Sequence, residues 1–221
     1  MKYREIDYEN FEITPEFARL HAHICGDGCL FKVKTNRSKK ELLQHPRNNT
    51  VRNRFHLSYC NTNSILIELF IKDLKLAFNR VGVFVPSQNH VDVQAKWLYD
   101  LFKFFGAGKS KEWFIPNKIM YSSLEIKAQW LKAFFDDEAY VSNVQKRIVL
   151  NVVNHNGLKQ IQNLLFDLGI ISRLNGPYRC REFYSYHLTI YKNSLERFSN
   201  TVGFDHPEKK RKLREIIKVG T

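Results

Sequence analysis

Helical and strand-like hydrophobic patterns alternate along the chain, and their order in the first half is repeated in the second. Apolar residues that recur every third or fourth position predict first-half helices at 15–26, 63–81 and 96–105. Alternation of apolar and polar residues predicts first-half strands at 29–34, 52–59 and 90–94. Between the first two strands, a polar run around Pro46 predicts a long basic loop over 35–50.

In the second half the same signals predict helices at 123–137, 154–168 and 195–202, and strands at 140–144, 147–153, 172–175 and 183–191. We therefore expect a tandem duplication of αββαββα units, in the α+β class. Each set of strands has one apolar face and one polar or basic face. This is typical of an antiparallel sheet that helices cover on one side and leave open on the other.

Polar and turn-forming segments divide the chain into a lead-in and two repeats. We predict a loose N-terminal lead-in at 1–15, a first repeat at 16–116 and a second repeat at 117–221. A turn-rich basic connector at 106–116 joins the repeats, and a basic helix after Gly203 is expected to complete the second.

Composition and charge point to a globular protein with a polyanionic partner. The 221 residues are 43% hydrophobic, which is enough for a packed core. Lys and Arg outnumber Asp and Glu by 35 to 22, giving a formal charge of +13, so nucleic acid is the expected partner. No stretch approaches the ~20 apolar residues of a membrane span, and the N-terminus lacks the apolar core of a signal peptide. We therefore expect an intracellular protein of the cytoplasm, the nucleoid or an organelle, freestanding rather than inserted in another protein.

The cysteines are scattered and need no disulfide in a reducing compartment. A zinc site is one interpretation of a group near the first predicted helix, namely His21, His23, Cys25 and Cys29. The absence of a CxxC pair argues against it, and so does the position of part of this group inside a helix.

Two stretches with a similar pattern of residues lie in the first helix of each repeat. They are LHAHICGDG at 20–28 and LKAFFDDEA at 131–139. Each is an apolar helical run that ends in an acid, Asp27 in one and Glu138 in the other. A carboxylate at the C-terminal end of a helix faces the negative end of the helix dipole, so its position needs a reason. One reason is a hard divalent cation, which would remove the repulsion between two acids that adjacent helix ends bring together.

Small residues support such a helix pair. Ala18, Ala22 and Gly26 recur every fourth residue, and Ala133 stands at the matching place in the second stretch. A stripe of this kind lets a second helix approach closely, so Asp27 and Glu138 are expected to meet at one point.

The two stretches resemble the motif that names the LAGLIDADG homing endonucleases, in the single-chain form with one motif in each half. The matching residues are Leu20, Ile24, Asp27 and Gly28 in the first copy, and Leu131, Asp136 and Glu138 in the second. The departures are His21, His23, Cys25, Asp137 and Ala139. Of these, Asp137 falls where the family usually has a small residue, which bears on how closely the helices approach.

The resemblance implies a monomer whose two sheets form a saddle on double-stranded DNA with a long, partly asymmetric target. It implies a sequence-specific endonuclease of intron homing that makes a double-strand break with 3′ overhangs by metal-dependent hydrolysis. In this reading Asp27 and Glu138 are the catalytic residues and the ligands of Mg²⁺, and Mn²⁺ or Ca²⁺ can occupy the same sites. Asp136 is expected to be a structural partner at the helix end, since it points away from Glu138 on a helix.

Basic and polar residues supply candidates for DNA contacts and charge stabilisation. Lysines of the connector segments that could stabilise charge in phosphoryl transfer are Lys109 and Lys209, with Lys111 and Lys210 beside them. The residues expected on the open, DNA-binding faces are Lys32, Lys34, Arg54, His56, Ser58, Arg147, Asn151, Arg181, Ser185, His187 and Thr189.

Two alternatives of the same fold stay open at this point. One is a catalytically inactive DNA-binding regulator, which would bind specifically without nicking in Mg²⁺ or Mn²⁺. The other is an intron RNA maturase, which would bind a folded intron RNA tightly.

Overall fold

The fold is that of a computed structural model, which describes residues 6–44 and 50–218. The elements of the first repeat, in chain order, are α1 (Pro15–Cys25), β1 (Gly28–Asn36), α2 (Lys39–Gln44), β2 (Val51–Cys60), α3 (Ser64–Phe78), β3 (Val83–Val85), β4 (His90–Gln94) and α4 (Lys96–Phe104). Those of the second are α5 (Asn117–Met120), α6 (Leu124–Glu138), β5 (Ala139–Ser142), β6 (Arg147–Val152), α7 (His155–Asp167), β7 (Ser172–Cys180), β8 (Phe183–Tyr191), α8 (Lys192–Thr201) and α9 (Pro207–Lys218).

Within the described residues the strands form two four-stranded sheets, ordered β1-β2-β4-β3 and β5-β6-β8-β7. Every neighbouring pair is antiparallel. The two sheets have the same topology, so the predicted α+β duplication with helix-backed antiparallel sheets is confirmed. The division drawn at residue 116 stays a prediction.

The helices α1 and α6 pack against each other where the repeats meet. Trp130 donates its indole N–H to Nδ1 of His21 at 3.0 Å, and Nε2 of His21 lies 2.8 Å from the carbonyl oxygen of Phe105. Since Nδ1 accepts a hydrogen bond, the ring is neutral with its proton on Nε2. Burial lowers the pKa of His21 to about 4, consistent with this neutral form. His21 is thus a hydrogen-bonded core residue of the helix contact.

Side-chain caps define the starts of three main helices. Thr14 accepts the amide of Phe17 at the start of α1, Asn63 accepts the amides of Ile65 and Leu66 for α3, and Ser123 accepts the amide of Ile126 for α6.

The helix predicted over 63–81 ends earlier than expected, before Gly82. The helix ends at Asn79, which adopts the left-handed conformation with φ of 50°. Gly82 instead lies against β4, where an added Cβ would come within 2.3 Å of Val91.

The predicted long loop over 35–50 is largely regular structure. β1 continues to Asn36, which pairs with Val51, and α2 follows directly. In this helix Glu41 and Ser38 cap each other, since Glu41 accepts the amide of Ser38 and donates its own amide to the Ser38 hydroxyl. Residues 45–49 of the predicted loop lie outside the described residues.

The lead-in, predicted to be loose, packs on the core over residues 6–14. Phe11 contacts the rings of Phe17 and Phe105, with centroids 4.9 and 5.4 Å apart. Lys118 of α5 donates to the carbonyl oxygen of Phe11 at 3.0 Å. Aromatic burial outweighs the polar composition of this segment. No helix in the described ranges combines the length and apolar character that crossing a membrane requires.

Candidate active site

The two motif acids lie at neighbouring helix ends. Asp27 follows α1 immediately, and Glu138 is the last residue of α6. Burial raises the pKa of Glu138 to about 7, and the charge of Asp27 is the next largest cause. Burial also raises the pKa of Asp27 to about 6, with the charge of Asp137 next. The charge of Asp27 thus acts on Glu138 through space. That the two acids form one site stays a prediction.

A surface pocket of about 490 Å³ opens beside Asp27. Asn61, Asp137, His206 and Lys209 also line it. Asn61 follows β2 and donates its side-chain amide to Asp27 at 3.0 Å. Asp27 is consequently accessible to a ligand from outside and is not sealed in a dry core.

Asp137 lies directly beneath this pocket at the contact between the two motif helices. Its side chain is 0% exposed. Its carboxylate accepts the Tyr59 hydroxyl at 2.7 Å and lies 2.8 Å from Nδ1 of His23. Gly26 provides the space, because a Cβ there would come within 3.0 Å of the Cβ of Asp137.

This buried cluster is the main feature that the sequence did not predict. Burial lowers the pKa of His23, but the charge and hydrogen bond of Asp137 outweigh it, so the pKa is raised overall. The sequence did contain a signal for this pair, because His23 and Asp137 both depart from the family motif. In the structure the imidazole of His23 compensates the buried carboxylate of Asp137. The close contact between α1 and α6 is preserved, since Gly26, which has no side chain, lies opposite Asp137.

The N-terminal turn of α9 is fixed to the end of α6. Asp136 accepts the backbone amides of Asp205 and His206, at 3.1 and 2.9 Å. Lys209 donates its ammonium group to the carbonyl oxygens of Phe135 at 3.3 Å, of Asp137 at 3.1 Å, and of Asp136. Asp136 is thus a structural partner of α9.

Lys209 is the lysine that the structure brings to the acids. Burial lowers its pKa, whereas the nearby acids act to raise it. Its charge in turn opposes the raised pKa values of Asp27 and Glu138. Lys109, the other proposed charge-stabilising residue, is exposed and does not line the pocket.

The strand register defines the open face of the first sheet. Leu57 and Tyr59 are buried on the helix-covered side, so the alternate residues of β2 face outward. The outward residues of β2 are Arg52, Arg54, His56 and Ser58, and the β1 residues paired with the last three are Val33, Phe31 and Cys29.

Lys32 and Lys34 do not lie on this open face, contrary to the prediction. Lys32 pairs with Phe55 and Lys34 with Asn53, on the side of the sheet that carries Leu57. The ammonium group of Lys32 lies 5.4 Å from the ring centroid of Phe55. The prediction was wrong because it assumed that charged residues of β1 face outward, whereas pairing with β2 turns Phe31 and Val33 that way.

On the second sheet the predicted outward residues share one face. Asn151 pairs with His187, and Val149 with Thr189, while Ile148 and Leu150 are buried on the other face. Arg147 and Ser185 have the same parity along β6 and β8. Arg181 lies in the turn between β7 and β8 with φ of 52°.

Both open faces contain arginines whose Nε–H groups are buried. Among the described residues, no hydrogen-bond partner reaches Nε of Arg52, Arg54 or Arg147. A buried donor without a partner is costly, so these positions suit an external acceptor such as phosphate. Ser58, Ser185 and Thr189 are buried at the floor of the faces.

Contacts between neighbouring strands add further detail to the open faces. Asp92 of β4 lies 2.9 Å from Nδ1 of His56, and Phe31 stacks on the same imidazole with parallel rings. On the second sheet Tyr178 packs against His187 with ring centroids 4.5 Å apart. Sequence alternation gives the faces of single strands, but these pairs depend on the register between strands.

The two motif helices pack against each other, and each is followed by a four-stranded antiparallel sheet. Residues 125–203, within the second repeat, match the family described as a LAGLIDADG-like domain.

The proteins similar to this chain in structure and in sequence include homing endonucleases. Variants of the homing endonuclease I-DmoI superpose with a TM-score of 0.64 at 17% identity, over 90% of this chain and 97% of theirs. Homing endonuclease I-ApeI of Aeropyrum pernix is 23% identical over 177 residues, 75% of this chain and 79% of that protein. Solved structures of I-DmoI include complexes with DNA and Mn or Ca, and with target DNA in the presence of Mg.

A longer relative matches through only part of its length. The glutamine–fructose-6-phosphate aminotransferase of Methanocaldococcus jannaschii is 24% identical over 216 residues, which are 92% of this chain. The chain spans 18% of that protein.

Proposed function

We propose that the chain is a site-specific DNA endonuclease that cuts both strands of a duplex by metal-dependent phosphodiester hydrolysis. The observation that carries this proposal is a pair of acids, Asp27 and Glu138, at the ends of the two packed motif helices. The pKa of each acid is raised, and Asp27 lines an open pocket. The LAGLIDADG-like match over 125–203 and the likeness to the homing endonucleases I-ApeI and I-DmoI support it.

The acids fit a divalent cation such as Mg²⁺, which proteins commonly hold through one or two carboxylates, with water and substrate phosphate completing the coordination. Within the described part of the chain no cluster of three or more acidic, His or Cys side chains suits a metal by itself. We therefore assign Asp27 and Glu138 as ligands of Mg²⁺, with Mn²⁺ or Ca²⁺ as substitutes, completed by DNA phosphate. When bound, such a cation activates water and offsets the charge that develops at phosphorus.

The chain's own residues bind the DNA and position it. Arg54 and Arg147 present buried, unpartnered donors on opposite repeats and are assigned to phosphates. Lys209 supplies a positive charge beside both acids, which favours their ionised, metal-binding forms.

A single chain with two sheets is proposed to act as a monomer on a long target. The two open faces differ: the first places Asp92 opposite Ser58, where the second places Thr189 opposite Val149. Different side chains at equivalent places read different base edges, so we expect a partly asymmetric target.

The test is selection of cleaved sites from a randomised or genomic DNA pool in Mg²⁺. We expect double-strand breaks at one sequence with 3′ overhangs, and no breaks in EDTA. The matched controls are Asp27→Asn and Glu138→Gln, which keep the side-chain shape and should abolish double-strand cleavage while DNA binding survives.

Each other outcome has a defined meaning. Specific binding without nicking in Mg²⁺ or Mn²⁺ would replace the proposal by the inactive regulator. Tight binding to a folded intron RNA alone would replace it by the maturase. If a variant carrying both substitutions still cuts both strands, the metal-ligand assignment is wrong.

A further inference from the structure

The acidic site departs from the two-fold symmetry of the repeats in one specific place. Gly28 pairs with Tyr59 in the first sheet, and the equivalent Ala139 pairs with Leu150 in the second. Two residues beyond each partner, the first repeat has Asn61 and the second has Val152.

The same difference extends to the motif helices. His23 of the first motif corresponds to Phe134 of the second, and Gly26 corresponds to Asp137. The polar residues of the first repeat therefore surround a carboxylate that only the second repeat supplies.

Asn61 links this carboxylate to the site. Its amide nitrogen lies 3.0 Å from Asp27 and 3.4 Å from Asp137, and its amide oxygen accepts the backbone N–H of Asn63 at 2.9 Å. All polar atoms of the amide are engaged, so its orientation is fixed with the NH₂ group toward the acids. No hydrogen bond reaches Glu138 from the described residues, and the position equivalent to Asn61 in its own repeat is Val152.

We propose that Asp137 is a positioning residue that acts through Asn61 to orient Asp27 and not Glu138, so that the two strands of the DNA are cut unequally. His23 and Tyr59 hold Asp137 in place from below. The proposal rests on the nuclease function proposed above. It concerns the orientation of one metal-ligating acid. Mutation of a residue that hydrogen-bonds to such a ligand commonly lowers metal affinity or activity about 10- to 100-fold.

The experiment measures the cleavage rate of each strand separately, on a duplex of the selected site carrying a different fluorophore on each strand. Asp137→Gly and Asn61→Val introduce the residues found at the equivalent positions of the other repeat. Both should slow the same strand about ten-fold or more relative to the other, so that nicked DNA accumulates. Asp137→Asn, which keeps an acceptor oxygen, should restore part of the wild-type strand ratio.

The matched control is Val152→Ala, which alters the equivalent position of the second repeat and should leave the strand ratio unchanged. Equal slowing of both strands by Asp137→Gly and Asn61→Val would overturn the proposal, as would slowing of opposite strands. Thermal unfolding and DNA binding in EDTA identify any variant that fails to fold.

A second measurement does not depend on cleavage. The side-chain amide of Asn61, assigned by NMR from its loss in Asn61→Val, should give two distinct proton resonances that exchange slowly with water. Asp137→Gly should accelerate that exchange, and unchanged protection would overturn the positioning role. Absence of cleavage by the wild-type protein would instead refute the proposed function, and the amide measurement would still decide whether Asp137 orients Asn61.

Discussion

Lys209 donates its ammonium group to the main-chain oxygen of Asp137 at 3.1 Å, which places a cation from α9 at the negative end of the helix that carries Glu138. The acid at the end of α6 is electrostatically unfavourable by itself, since the helix dipole favours positive charge there. Lys209 supplies that positive charge. The catalytic end of α6 therefore depends on a residue about seventy positions away in the chain.

We predict that Lys209→Met lowers cleavage at pH 7 and subsaturating Mg²⁺ about 10- to 100-fold. Lys209 opposes the raised pKa values of Asp27 and Glu138, so its removal should raise them further and let protons compete better with the metal. The pH–rate profile should accordingly move to higher pH. Lys210→Met, on the exposed side of the same helix, is the control. An unshifted profile for Lys209→Met would contradict this role.

A second prediction concerns stability without metal. Folding raises the pKa values of Asp27 and Glu138 from 3.8 and 4.5 to about 6 and about 7. The folded state thus binds more protons than the unfolded state in this range, and stability falls as the pH rises through it. Asp27→Asn and Glu138→Gln remove this cost. Their melting temperatures in EDTA should exceed that of the wild type at pH 8 and approach it near pH 4.

Addition of Mg²⁺ at pH 8 provides the complementary measurement. The cation should raise the melting temperature of the wild type, because a ligand of the folded state stabilises it. The variant with both substitutions should show no such rise. An equal rise in both proteins would place the bound metal elsewhere.

A third prediction concerns the buried pair of His23 and Asp137. His23→Phe or Asp137→Gly alone should destabilise the fold by about 3–5 kcal/mol, because each leaves a buried polar or charged partner uncompensated. The double variant should cost clearly less than the sum of the two. A double-mutant cycle from urea unfolding measures this coupling, and additive losses would show that the pair is not coupled.

A fourth prediction compares the two faces of the first sheet. Arg54→Ala on the open face should weaken DNA binding and reduce the slope of log affinity against log salt by about 1, the effect of losing one phosphate contact. Lys32→Ala, on the helix-covered side of the neighbouring strand, removes the same charge and serves as the control. A larger loss for Lys32→Ala would mean that the DNA approaches the other side of the sheet.

The sequence predicted the elements whose signals are local. Apolar periodicity and strand alternation were sufficient for the duplicated αββαββα order. Short elements were missed, because the three residues of β3 and the four of α5 are too few to display a period.

Non-local pairing explains the remaining errors. Alternation in β1 separates Lys32 from Phe31 but cannot say which side faces the helices, and only the pairing of Phe31 with His56 decides it. In the same way, nothing in either motif alone reveals that His23 of one contacts Asp137 of the other. The end of α3 at Asn79 was missed because an asparagine, and not a glycine, takes the left-handed conformation there.

The fit of Gly26 against Asp137 also determines which assemblies of the repeats are possible. A homodimer of two second repeats would bring a pair of carboxylates into one buried contact without an intervening imidazole. A homodimer of two first repeats would leave two histidines without a carboxylate, beside a gap between glycines. The two repeats are therefore not interchangeable at this contact. A chimera that replaces one repeat must keep Gly26 and His23 on one side and an acid equivalent to Asp137 on the other.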